Sequence, residues 1–523
     1  MDTASTSEKN PVHGQFVVVG GGVAGICCVE ELDSIITDDS KIILITGRGG
    51  FIKTVVNPER LGQITETFEI EEKISDAYFS SGKVISIKQD VVSWNSKEKK
   101  LHLSNGKEVT YDKLCIATGA SAKSDWKHPS VITIRDTETI ESLRAKLHST
   151  RRVLLVGNGG IATELVFELK NVEILWAIRH PTISATYFDA AAAKFFEPML
   201  LHGRPSSTKK PEAKVDRYVV DRKPIVETAP ERLAFACGLD MNESSDGAAT
   251  ISVDTSSSAI GGCALGPHWL AKLNQDEISN SQENQRKVHV ISEAELTDVY
   301  DEKPQGKRES TLPDNFQRAY DWKVWAEFSN GSICGCDLII QATGVVPNSK
   351  IWHRDCPELK ISEDGGILVG EKMETSVPNV YAVGDVCTAG WQQAPHWTQI
   401  RLWTQARQMG IFCARVMVFP DIQLDIAFEL FTHATTFFGL KVVLLGDFTA
   451  SKIEKPFQVF MRITEREEYI KVINKNGRVH GAVLIGETDL EETLENLILN
   501  QTDISQIEDD FLNPQVDLED YFD

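Results

Sequence analysis

The sequence has no excess of positive charge and no long apolar run. Its 523 residues include 54 lysines and arginines against 76 aspartates and glutamates, which gives a formal net charge of -22. Long-range repulsion therefore opposes general binding to nucleic acid phosphates. No uncharged apolar stretch reaches the roughly 18 residues that a membrane-spanning helix needs, and the polar N-terminus has neither a signal-peptide nor a transit-peptide pattern. We expect no membrane association, no direct general nucleic acid binding, and a cytoplasmic and nuclear location.

Cysteine also lacks the pattern of a disulfide scaffold. Ten cysteines are scattered along the chain without a repeated spacing, so we expect most of them to be buried free thiols. The chain is too long for one hydrophobic core. Two to four domains are therefore expected, with enough interior to enclose a cofactor.

The phrase FVVVGGGVAGICC combines a strand, a glycine turn and a helix. The apolar run at 16–19 is typical of a strand buried on both faces of a parallel sheet. Gly20, Gly22 and Gly25 have the G-x-G-x-x-G spacing that permits a tight turn, close approach of a pyrophosphate, and close packing of helix on strand. Free N–H groups at the helix N-terminus would bind the phosphates. The following strand ends in Thr46, where an acid normally accepts ribose hydroxyls, so the adenine end is predicted to be held differently.

A second phrase, VLLVGNGGIATE, repeats this arrangement. Gly157 and Gly159 are followed by Ala162, which is a tolerated replacement for the third glycine. After the next strand, Arg179 stands where NAD-specific sites usually carry an acid. Arg179 could pair with a 2′-phosphate, or it could be a solvated loop residue. The two phrases predict a tightly held FAD at the first site and NADPH or NADH at the second, with hydride passing between them.

Three further motifs occur in the order that a known family uses. They are YDKLCIATGA, CDLIIQATGVVPN and TSVPNVYAVGDVC. Their candidate cofactor-binding residues are Thr118, Gly119, Thr343, Gly344, Gly384 and Asp385. With the two glycine phrases, they resemble the pyridine nucleotide-disulfide oxidoreductase superfamily, in which the aspartate of the third motif contacts the ribityl and pyrophosphate region of FAD. The resemblance implies an α/β fold with two Rossmann-like domains, for FAD and NAD(P), and a C-terminal α+β interface-type domain.

The motifs also predict the domain boundaries. We expect a disordered N-terminus at 1–14, an FAD-binding domain at 15–120 and 344–420, an NAD(P)-binding domain at 121–343, a C-terminal domain at 421–500, and an acidic tail at 501–523. The stretch at about 203–315 is rich in Ser, Pro, Gly and charge, which favours a partly disordered insertion. Its basic residues could form an import signal, a partner patch or a solvated loop.

The redox-active cysteine pair of the family has no counterpart at the usual place. No cysteine occurs between Cys28 and Cys115, so classical dithiol relay chemistry is not expected. Members of the superfamily that lack the disulfide can place a lysine beside flavin N5, paired with a glutamate of the nicotinamide glycine phrase. Lys53 and Glu164 occupy these positions, and a lysine there would stabilise negative charge on reduced flavin. Alternatively, Lys53 is solvated and Glu164 faces a domain interface.

Three local patterns add expectations. Trp391, Trp397 and Trp403 could cover the flavin, form an interface or pack in the core. The dipeptide Asn476-Gly477 predicts a β-hairpin turn. Thr488 and Glu491 have the spacing of a capping box at the start of an amphipathic helix.

Phrases such as RLWTQARQMG and FFGLKVVLLG resemble one eukaryotic branch of the superfamily. Its members are associated with the tRNA ligase complex and with shielding its metal-dependent catalytic subunit from oxidative inactivation. The last 17 residues contain seven acids and no base, and their interleaved apolar side chains suit docking into a basic cleft, although such a run can also be a solubilising tail. The candidate partner-binding residues are Phe511, Leu512, Tyr521, Phe522 and Asp523.

The sequence therefore predicts an FAD-dependent NAD(P)H oxidoreductase that lacks the redox-active cysteine pair. The resemblance implies that nucleotide-dependent binding protects the catalytic subunit of the tRNA ligase complex. The alternative is an NAD(P)H-dependent disulfide, quinone or oxygen reductase without a stable protein partner.

Overall fold

The computed structural model describes residues 11–37, 39–135, 137–202, 213–220, 287–318, 321–516 and 518. The chain divides into two compact units, each made of three segments. The first unit comprises Met1–Glu59, Phe68–Ser121 and Val345–Phe431, and the second comprises Arg60–Thr67, Ala122–Gly344 and Thr432–Asp523. In the described ranges, no helix is both long enough and apolar enough to span a membrane.

Strands outnumber helices in the part of the chain that the structure describes. The first strands are β1 (Val12–Val19), β2 (Ile42–Ile45), β3 (Phe51–Arg60), β4 (Glu66–Ile74), β5 (Val84–Ile87), β6 (Val91–Asn95), β7 (Lys100–Leu103), β8 (Glu108–Ile116), β9 (Ala120–Ala122), β10 (Val131–Thr133), β11 (Arg152–Val156), β12 (Glu173–Ala177), β13 (Lys214–Val220) and β14 (Lys287–Ile291). The later strands are β15 (Leu296–Tyr300), β16 (Arg308–Glu309), β17 (Val324–Phe328), β18 (Ser332–Cys336), β19 (Leu338–Gln341), β20 (Val345–Pro347), β21 (Ile367–Val369), β22 (Val380–Ala382), β23 (Cys387–Ala389), β24 (Thr432–Phe437), β25 (Leu440–Gly446), β26 (Phe457–Thr464), β27 (Glu468–Lys475) and β28 (Arg478–Ile485). The helices are α1 (Val23–Ile35), α2 (Thr137–Leu147), α3 (Gly160–Glu168), α4 (Ala190–His202), α5 (Lys350–Asp355), α6 (Trp403–Val418) and α7 (Glu491–Asn500).

The first unit is built around a seven-stranded sheet. Its order is β5-β2-β1-β8-β7-β6, and β22 also pairs with β8. Strand β1 runs parallel to β2 and β8, so that Val18 lies opposite Leu44 on one side and Cys115 on the other. Continuous apolar strands suit this position because both faces of a parallel sheet are covered. Helices α1 and α6 pack against each other so closely that a Cβ at Gly410 would lie 2.3 Å from the carbonyl oxygen of Ala24.

Among the residues that the structure describes, the second unit contains three sheets. A parallel sheet of order β10-β19-β11-β12-β14 includes the second glycine phrase, and a four-stranded sheet has the order β15-β17-β18-β16. The third sheet is antiparallel and has the order β13-β26-β27-β28-β25-β24. Helix α7 packs on β25 and β28 of this third sheet. The parallel sheets next to both glycine phrases confirm the predicted α/β arrangement.

The boundaries of the predicted insertion need correction. Strands β14, β15 and β16 lie within it and belong to the parallel and four-stranded sheets, so the predicted range includes regular structure from Lys287 onward. Strand β13 also lies within it and forms the edge of the antiparallel sheet. The remaining positions, 203–212 and 221–286, lie outside the described residues. After the predicted boundary at 421, the first strand of the antiparallel sheet is β24, which begins at Thr432.

The predicted hairpin is confirmed. Asn476 and Gly477 have φ angles of 54° and 73°, as a type I′ turn requires, and they connect β27 to β28. The predicted capping box is wrong in detail, because α7 begins only at Glu491. The hydroxyl of Thr488 donates to the Glu491 carboxylate at 3.1 Å rather than accepting from a backbone N–H of the helix.

The acidic tail folds back onto the antiparallel sheet of its own unit. Phe511 is fully buried with its ring centroid 5.5 Å from that of Phe460, and Leu512 is also buried. The Glu508 carboxylate pairs with Arg217 and accepts a hydrogen bond from Asn474 at 2.9 Å. This burial corrects the expectation that Phe511 and Leu512 are available as exposed anchors, because their apolar surface is already removed from water by this chain. Tyr521, Phe522 and Asp523 lie outside the described residues.

Candidate active site

The first glycine phrase forms an open turn between β1 and α1. Gly20 has φ +133°, and a Cβ there would lie 2.1 Å from the carbonyl oxygen of Ala117. At Gly25 a Cβ would lie 2.1 Å from the carbonyl oxygen of Gly20, so both positions require glycine. At Gly22 a Cβ would meet nothing within 4 Å, and Gly22 is an N-cap residue without a side-chain hydrogen bond to α1. Space and helix N–H groups thus coincide where a pyrophosphate would bind, and these residues fit FAD.

Thr46 lies next to this turn. The carbonyl of Ile45, at the end of β2, accepts a hydrogen bond from the N–H of Gly20 at 2.8 Å, and Thr46 is the next residue. The Thr46 N–H donates to Ile87 O at 3.1 Å, which ties it to β5. The structure therefore places Thr46 at the end of the second strand, as predicted. Its contact with a ribose stays a prediction.

The first A-T-G motif forms a hydrogen-bonded loop after β8. Gly119 has φ +63° and accepts the N–H of Asn348 at 2.9 Å through its carbonyl. The side-chain amide of Asn348 donates to Thr118 O at 2.9 Å, and Trp352 Nε1 donates to Thr118 Oγ1 at 3.3 Å. The asparagine at the end of the ATGVVPN motif therefore fixes the loop that contains Thr118 and Gly119.

The second FAD motif is held by an arginine that the sequence analysis missed. Gly384, with φ +70°, and Asp385 form a tight 3-10 turn after β22. Arg401 Nε donates to the carbonyl of Asp385 at 2.9 Å, while its NH2 group forms a salt bridge of 2.6 Å with Asp364. Arg401 lies in the phrase RLWTQARQMG, which the sequence analysis used for the family resemblance only. Its role depends on Asp364, a partner 37 residues away in the sequence.

Lys53 lies beside the first cradle and the start of α6. Its backbone N–H donates to Gly21 O at 2.8 Å, so β3 adjoins the glycine turn directly. Its Nζ atom lies 5.8 Å from the ring centroid of Trp403, the first residue of α6. This is within the range of a cation–π contact. The half-buried cation thus lies beside the first glycine turn and the start of α6.

The three tryptophans separate into two groups. Trp397 is buried, and Trp391 packs beside it with ring centroids 5.5 Å apart. The ring centroid of Phe428 lies 6.0 Å from that of Trp391 and 5.9 Å from that of Trp397. The core-packing alternative therefore holds for this pair. Trp403, by contrast, is half-buried and contacts the Lys53 cation.

The second glycine phrase repeats the geometry of the first in the second unit. Gly157 has φ +134°, and a Cβ there would lie 2.2 Å from the carbonyl oxygen of Ala342. Gly159 is the N-cap residue of α3, and no side chain caps the helix there. A Cβ at Gly159 would meet nothing within 4 Å. Ala162 is fully buried in the position of the third glycine. These residues fit the pyrophosphate of a nicotinamide dinucleotide.

Asn158, inside this phrase, was not singled out from the sequence. Its Oδ1 atom accepts the N–H of Ser184 at 2.5 Å, and its Nδ2 atom donates to Thr182 O at 2.8 Å. Asn158 is buried, so these bonds hold the loop after β12 against the glycine turn. Arg179 is exposed at the start of that loop, and its pairing with a 2′-phosphate stays a prediction.

The second A-T-G motif borders the same sheet. Thr343 Oγ1 accepts from Gln341 Nε2 at 3.0 Å, and Gly344, with φ +107°, accepts the N–H of Lys123 at 2.9 Å. Glu164 is buried on α3. The pKa of Tyr187 is raised mainly by the burial of its own side chain and also by the nearby charge of Glu164. Lys53 belongs to the first unit and Glu164 to the second, and their pairing stays a prediction.

The eight cysteines that the structure describes are all buried free thiols, which confirms the expectation for these residues. Cys27 and Cys28 are residues of α1, and both side chains are buried in the core of the first unit. Burial raises the pKa of Cys27 to about 12, so this thiol stays protonated at neutral pH. Burial also raises the pKa of Cys334 to about 12 and that of its C-x-C neighbour Cys336.

Two open phosphate cradles, two A-T-G loops and an aspartate-containing FAD motif define a flavoprotein reductase with two dinucleotide-binding domains. Residues 14–202 and 263–410 match the family model for pyridine nucleotide-disulphide oxidoreductase, and residues 435–502 match that for the rubredoxin NAD+ reductase C-terminal domain. The chain belongs to the pyridine nucleotide-disulphide oxidoreductase family. Its cofactors are accordingly FAD and a nicotinamide dinucleotide.

Relatives and solved structures agree with this assignment. The mouse protein named pyridine nucleotide-disulfide oxidoreductase domain-containing protein 1 is 39% identical over 531 residues, which cover 98% of this chain and 99% of the mouse protein. A ferredoxin reductase from Rhodopseudomonas palustris aligns with a TM-score of 0.62 at 15% identity, over 97% of this chain and 100% of that chain. The NADH:rubredoxin oxidoreductase from Clostridium acetobutylicum aligns with a TM-score of 0.53 at 16% identity, over 95% and 97%. The predicted fold class, including the C-terminal domain, is confirmed.

Proposed function

We propose that this protein is an NAD(P)H-dependent flavoprotein oxidoreductase that passes electrons from FAD to its acceptor without a cysteine relay. The observation that carries the proposal is the pair of matching cradles, in which Gly22 and Gly159 each leave open space at an uncapped helix N-terminus. When bound, FAD and the nicotinamide supply the hydride chemistry. The acceptor is a small molecule such as oxygen or a quinone, or a protein thiol.

The residues of the first unit would bind FAD and tune its charge. The N–H groups of α1 point at the pyrophosphate position. Arg401 holds the Asp385 turn because its Nε–H donates a hydrogen bond to the Asp385 carbonyl. Lys53 would stabilise negative charge that develops on the reduced ring, because an ammonium in a partly desolvated site acts more strongly than one in water. Its contacts with the glycine turn and Trp403 support this position.

The residues of the second unit would select the nicotinamide. The N–H groups of α3 and the turn fixed by Asn158 would hold its pyrophosphate. Exposed Arg179, without an acid in its place, would accept a 2′-phosphate, which favours NADPH without excluding NADH.

The absence of a relay is supported by the positions of the cysteines. The family segment that would carry the pair has no cysteine, because none occurs between Cys28 and Cys115. The described cysteines are buried, and burial raises the pKa values of Cys27 and Cys334, which opposes formation of a reactive thiolate at these two residues.

An anaerobic dithionite titration tests this proposal by counting electrons. A chain with FAD alone takes up two electrons, whereas FAD with a redox-active disulfide takes up four. We expect two in the wild type and in each single cysteine-to-alanine variant, with steady-state activity retained in all of them. Uptake of four electrons, or loss of activity in one cysteine variant that still binds FAD, would show that a thiol relay operates.

We further propose that the nucleotide-bound protein binds the catalytic subunit of the tRNA ligase complex and protects it from oxidative inactivation. Support comes from the eukaryotic branch that the sequence resembles and from acidic residues near the C-terminus, where Asp509, which pairs with Arg217 at 3.1 Å, and Asp510 are exposed and suit a basic surface. Phe511 and Leu512 do not support it, because they are buried in this chain. Cytoplasmic and nuclear locations remain predictions that accompany this proposal.

A binding assay with the purified catalytic subunit separates this proposal from a free-standing reductase. We expect binding in the presence of NADPH and slower loss of ligase activity in air. No binding with or without NADPH, together with multiple turnovers on a quinone or oxygen, would favour the reductase without a stable partner.

A further inference from the structure

Three cysteines that lie far apart in the sequence meet inside the first unit. Cys28 comes from α1, Cys115 from β8 and Cys413 from α6, and all three are fully buried. The sulfur atoms of Cys413 and Cys115 are 4.0 Å apart, and all three sulfur atoms lie within 4.8 Å of one another. The sequence analysis treated these residues as separate core thiols. Their convergence depends on the packing of α1 and α6 on the sheet.

The sulfur triangle has the size of a three-coordinate metal centre. A trigonal centre with metal–sulfur bonds of about 2.3 Å has sulfur–sulfur edges of about 4.0 Å. The Cys413–Cys115 edge already has this length. The other two sulfur–sulfur distances are at most 4.8 Å, which is less than 1 Å longer. Small side-chain rotations would therefore be enough to close the triangle around an ion.

The surroundings of the triangle select the kind of ion. Among the described residues, no histidine, aspartate or glutamate joins this group of ligands. Zinc in closed sites takes four ligands, and calcium and magnesium take oxygen, so neither preference is met. Soft thiolate ligands favour Cu(I). In a dry core the net charge must stay small, and a monovalent ion is neutralised by a single thiolate.

We propose that Cys28, Cys115 and Cys413 form a buried site for Cu(I). Binding converts at least one thiol to a thiolate with release of its proton, and it involves no change in the oxidation state of the metal or of sulfur. The site is distinct from the FAD cradle, since Cys28 lies six residues beyond Gly22 on the same helix, about 9 Å along its axis. The ion would link α1, β8 and α6, and would thereby stabilise the elements that hold the two FAD motifs.

The test measures metal content in protein that folds in the presence of copper, because a closed site must be filled during folding. The chain is expressed in copper-supplemented cells with Cys237 and Cys263, the two cysteines outside the described residues, replaced by alanine. It is purified without oxygen and washed with a Cu(I) chelator. Mass spectrometry of metals and X-ray absorption at the copper edge follow. We expect about one copper per chain, bound by three sulfur atoms at about 2.3 Å with no nitrogen or oxygen ligand.

Matched variants identify the ligands. C413A and C27A each remove one buried thiol from a helix, but only Cys413 belongs to the triangle. We expect copper after the chelator wash to fall about tenfold or more in C413A, because loss of even an indirect ligand contact costs this much affinity, and to stay unchanged in C27A. FAD absorbance in both variants reports that the first unit is folded, and C413S replaces C413A if the alanine variant does not fold.

Several results would overturn the proposal. They are a chain without copper, zinc in place of copper, nitrogen or oxygen in the copper shell, and equal copper in C413A and C27A. X-ray absorption on the parent chain decides the identity of the ligands even if every cysteine variant of the triangle fails to fold.

Discussion

The glycine cradles can be tested by adding one methyl group to each in turn. In Gly22→Ala the new Cβ meets no protein atom within 4 Å, and the backbone at φ -74° and ψ 174° is allowed for alanine. In Gly159→Ala the situation is the same, with φ -98° and ψ -173°. Both variants should therefore fold. Each methyl group, however, would occupy the space that we assign to a pyrophosphate.

The expected loss of affinity follows from the hydrogen bonds at the helix N-terminus. If the methyl group displaces the pyrophosphate from two N–H donors, and each bond to a charged group contributes about 1.5 kcal/mol, the loss is about 3 kcal/mol. This corresponds to an increase in Kd of about 150-fold. In Gly22→Ala the Kd for FAD should rise by this factor, while the affinity for the nicotinamide should not change. Gly159→Ala should retain FAD and lose affinity for NAD(P)H.

The assay is equilibrium binding of each cofactor to each variant, with circular dichroism as the control for folding. Gly25→Ala provides a contrast, because its Cβ would lie 2.1 Å from Gly20 O and should prevent the turn from forming at all. If folded Gly22→Ala binds FAD as tightly as the wild type, the pyrophosphate does not lie at this helix N-terminus. If both cradle variants lose the same cofactor, the assignment of the two sites is wrong.

Three further predictions concern Lys53, a buried ion pair and a buried histidine. Lys53→Met should retain FAD but slow its reduction by NADPH about 100-fold, measured by stopped flow, whereas Lys53→Arg keeps most of the rate; equal rates in all three proteins would remove Lys53 from the mechanism. Glu173→Gln leaves the buried Arg152 guanidinium without the carboxylate 2.8 Å away, so urea unfolding should show a loss of about 3–5 kcal/mol, while Asp321→Asn at the surface should change little. Burial lowers the pKa of His433 to about 4, below its unfolded value of about 6.5. The unfolded state therefore binds a proton first as the pH falls. The free energy of unfolding should drop by about 2 kcal/mol between pH 7 and pH 5. His433→Phe should abolish that part of the pH dependence, and an unchanged slope would contradict it.

The cradles could be predicted from the sequence because their determinants are local. The apolar run of β1, the glycine spacing and the helix follow one another, and the clash that excludes a Cβ at Gly25 comes from the carbonyl of Gly20 in the same motif. The clash at Gly20 comes from Ala117 of the first A-T-G motif, which only the fold brings close. The hairpin at Asn476-Gly477 was predictable for the same reason, since both residues must adopt positive φ.

Other features depend on residues that only the fold brings together. Arg401 acquires its role from Asp364 and the Asp385 carbonyl, and no local pattern marks these three as a group. The cysteine triangle joins a helix, a strand and a second helix in the same way. The acidic tail misled the sequence analysis because apolar residues in an acidic segment suit a partner and a neighbouring sheet equally well. The structure buries Phe511 against Phe460 of this chain.

The central claim is that one chain holds FAD and a nicotinamide and transfers hydride between them. Anaerobic mixing of the purified protein with one equivalent of NADPH tests it most directly. The account predicts a yellow protein whose flavin absorbance is bleached by NADPH in the wild type and in every cysteine-to-alanine variant that binds FAD. A folded protein that is colourless and cannot be reconstituted with FAD, or whose flavin is reduced by neither NADPH nor NADH, would contradict it.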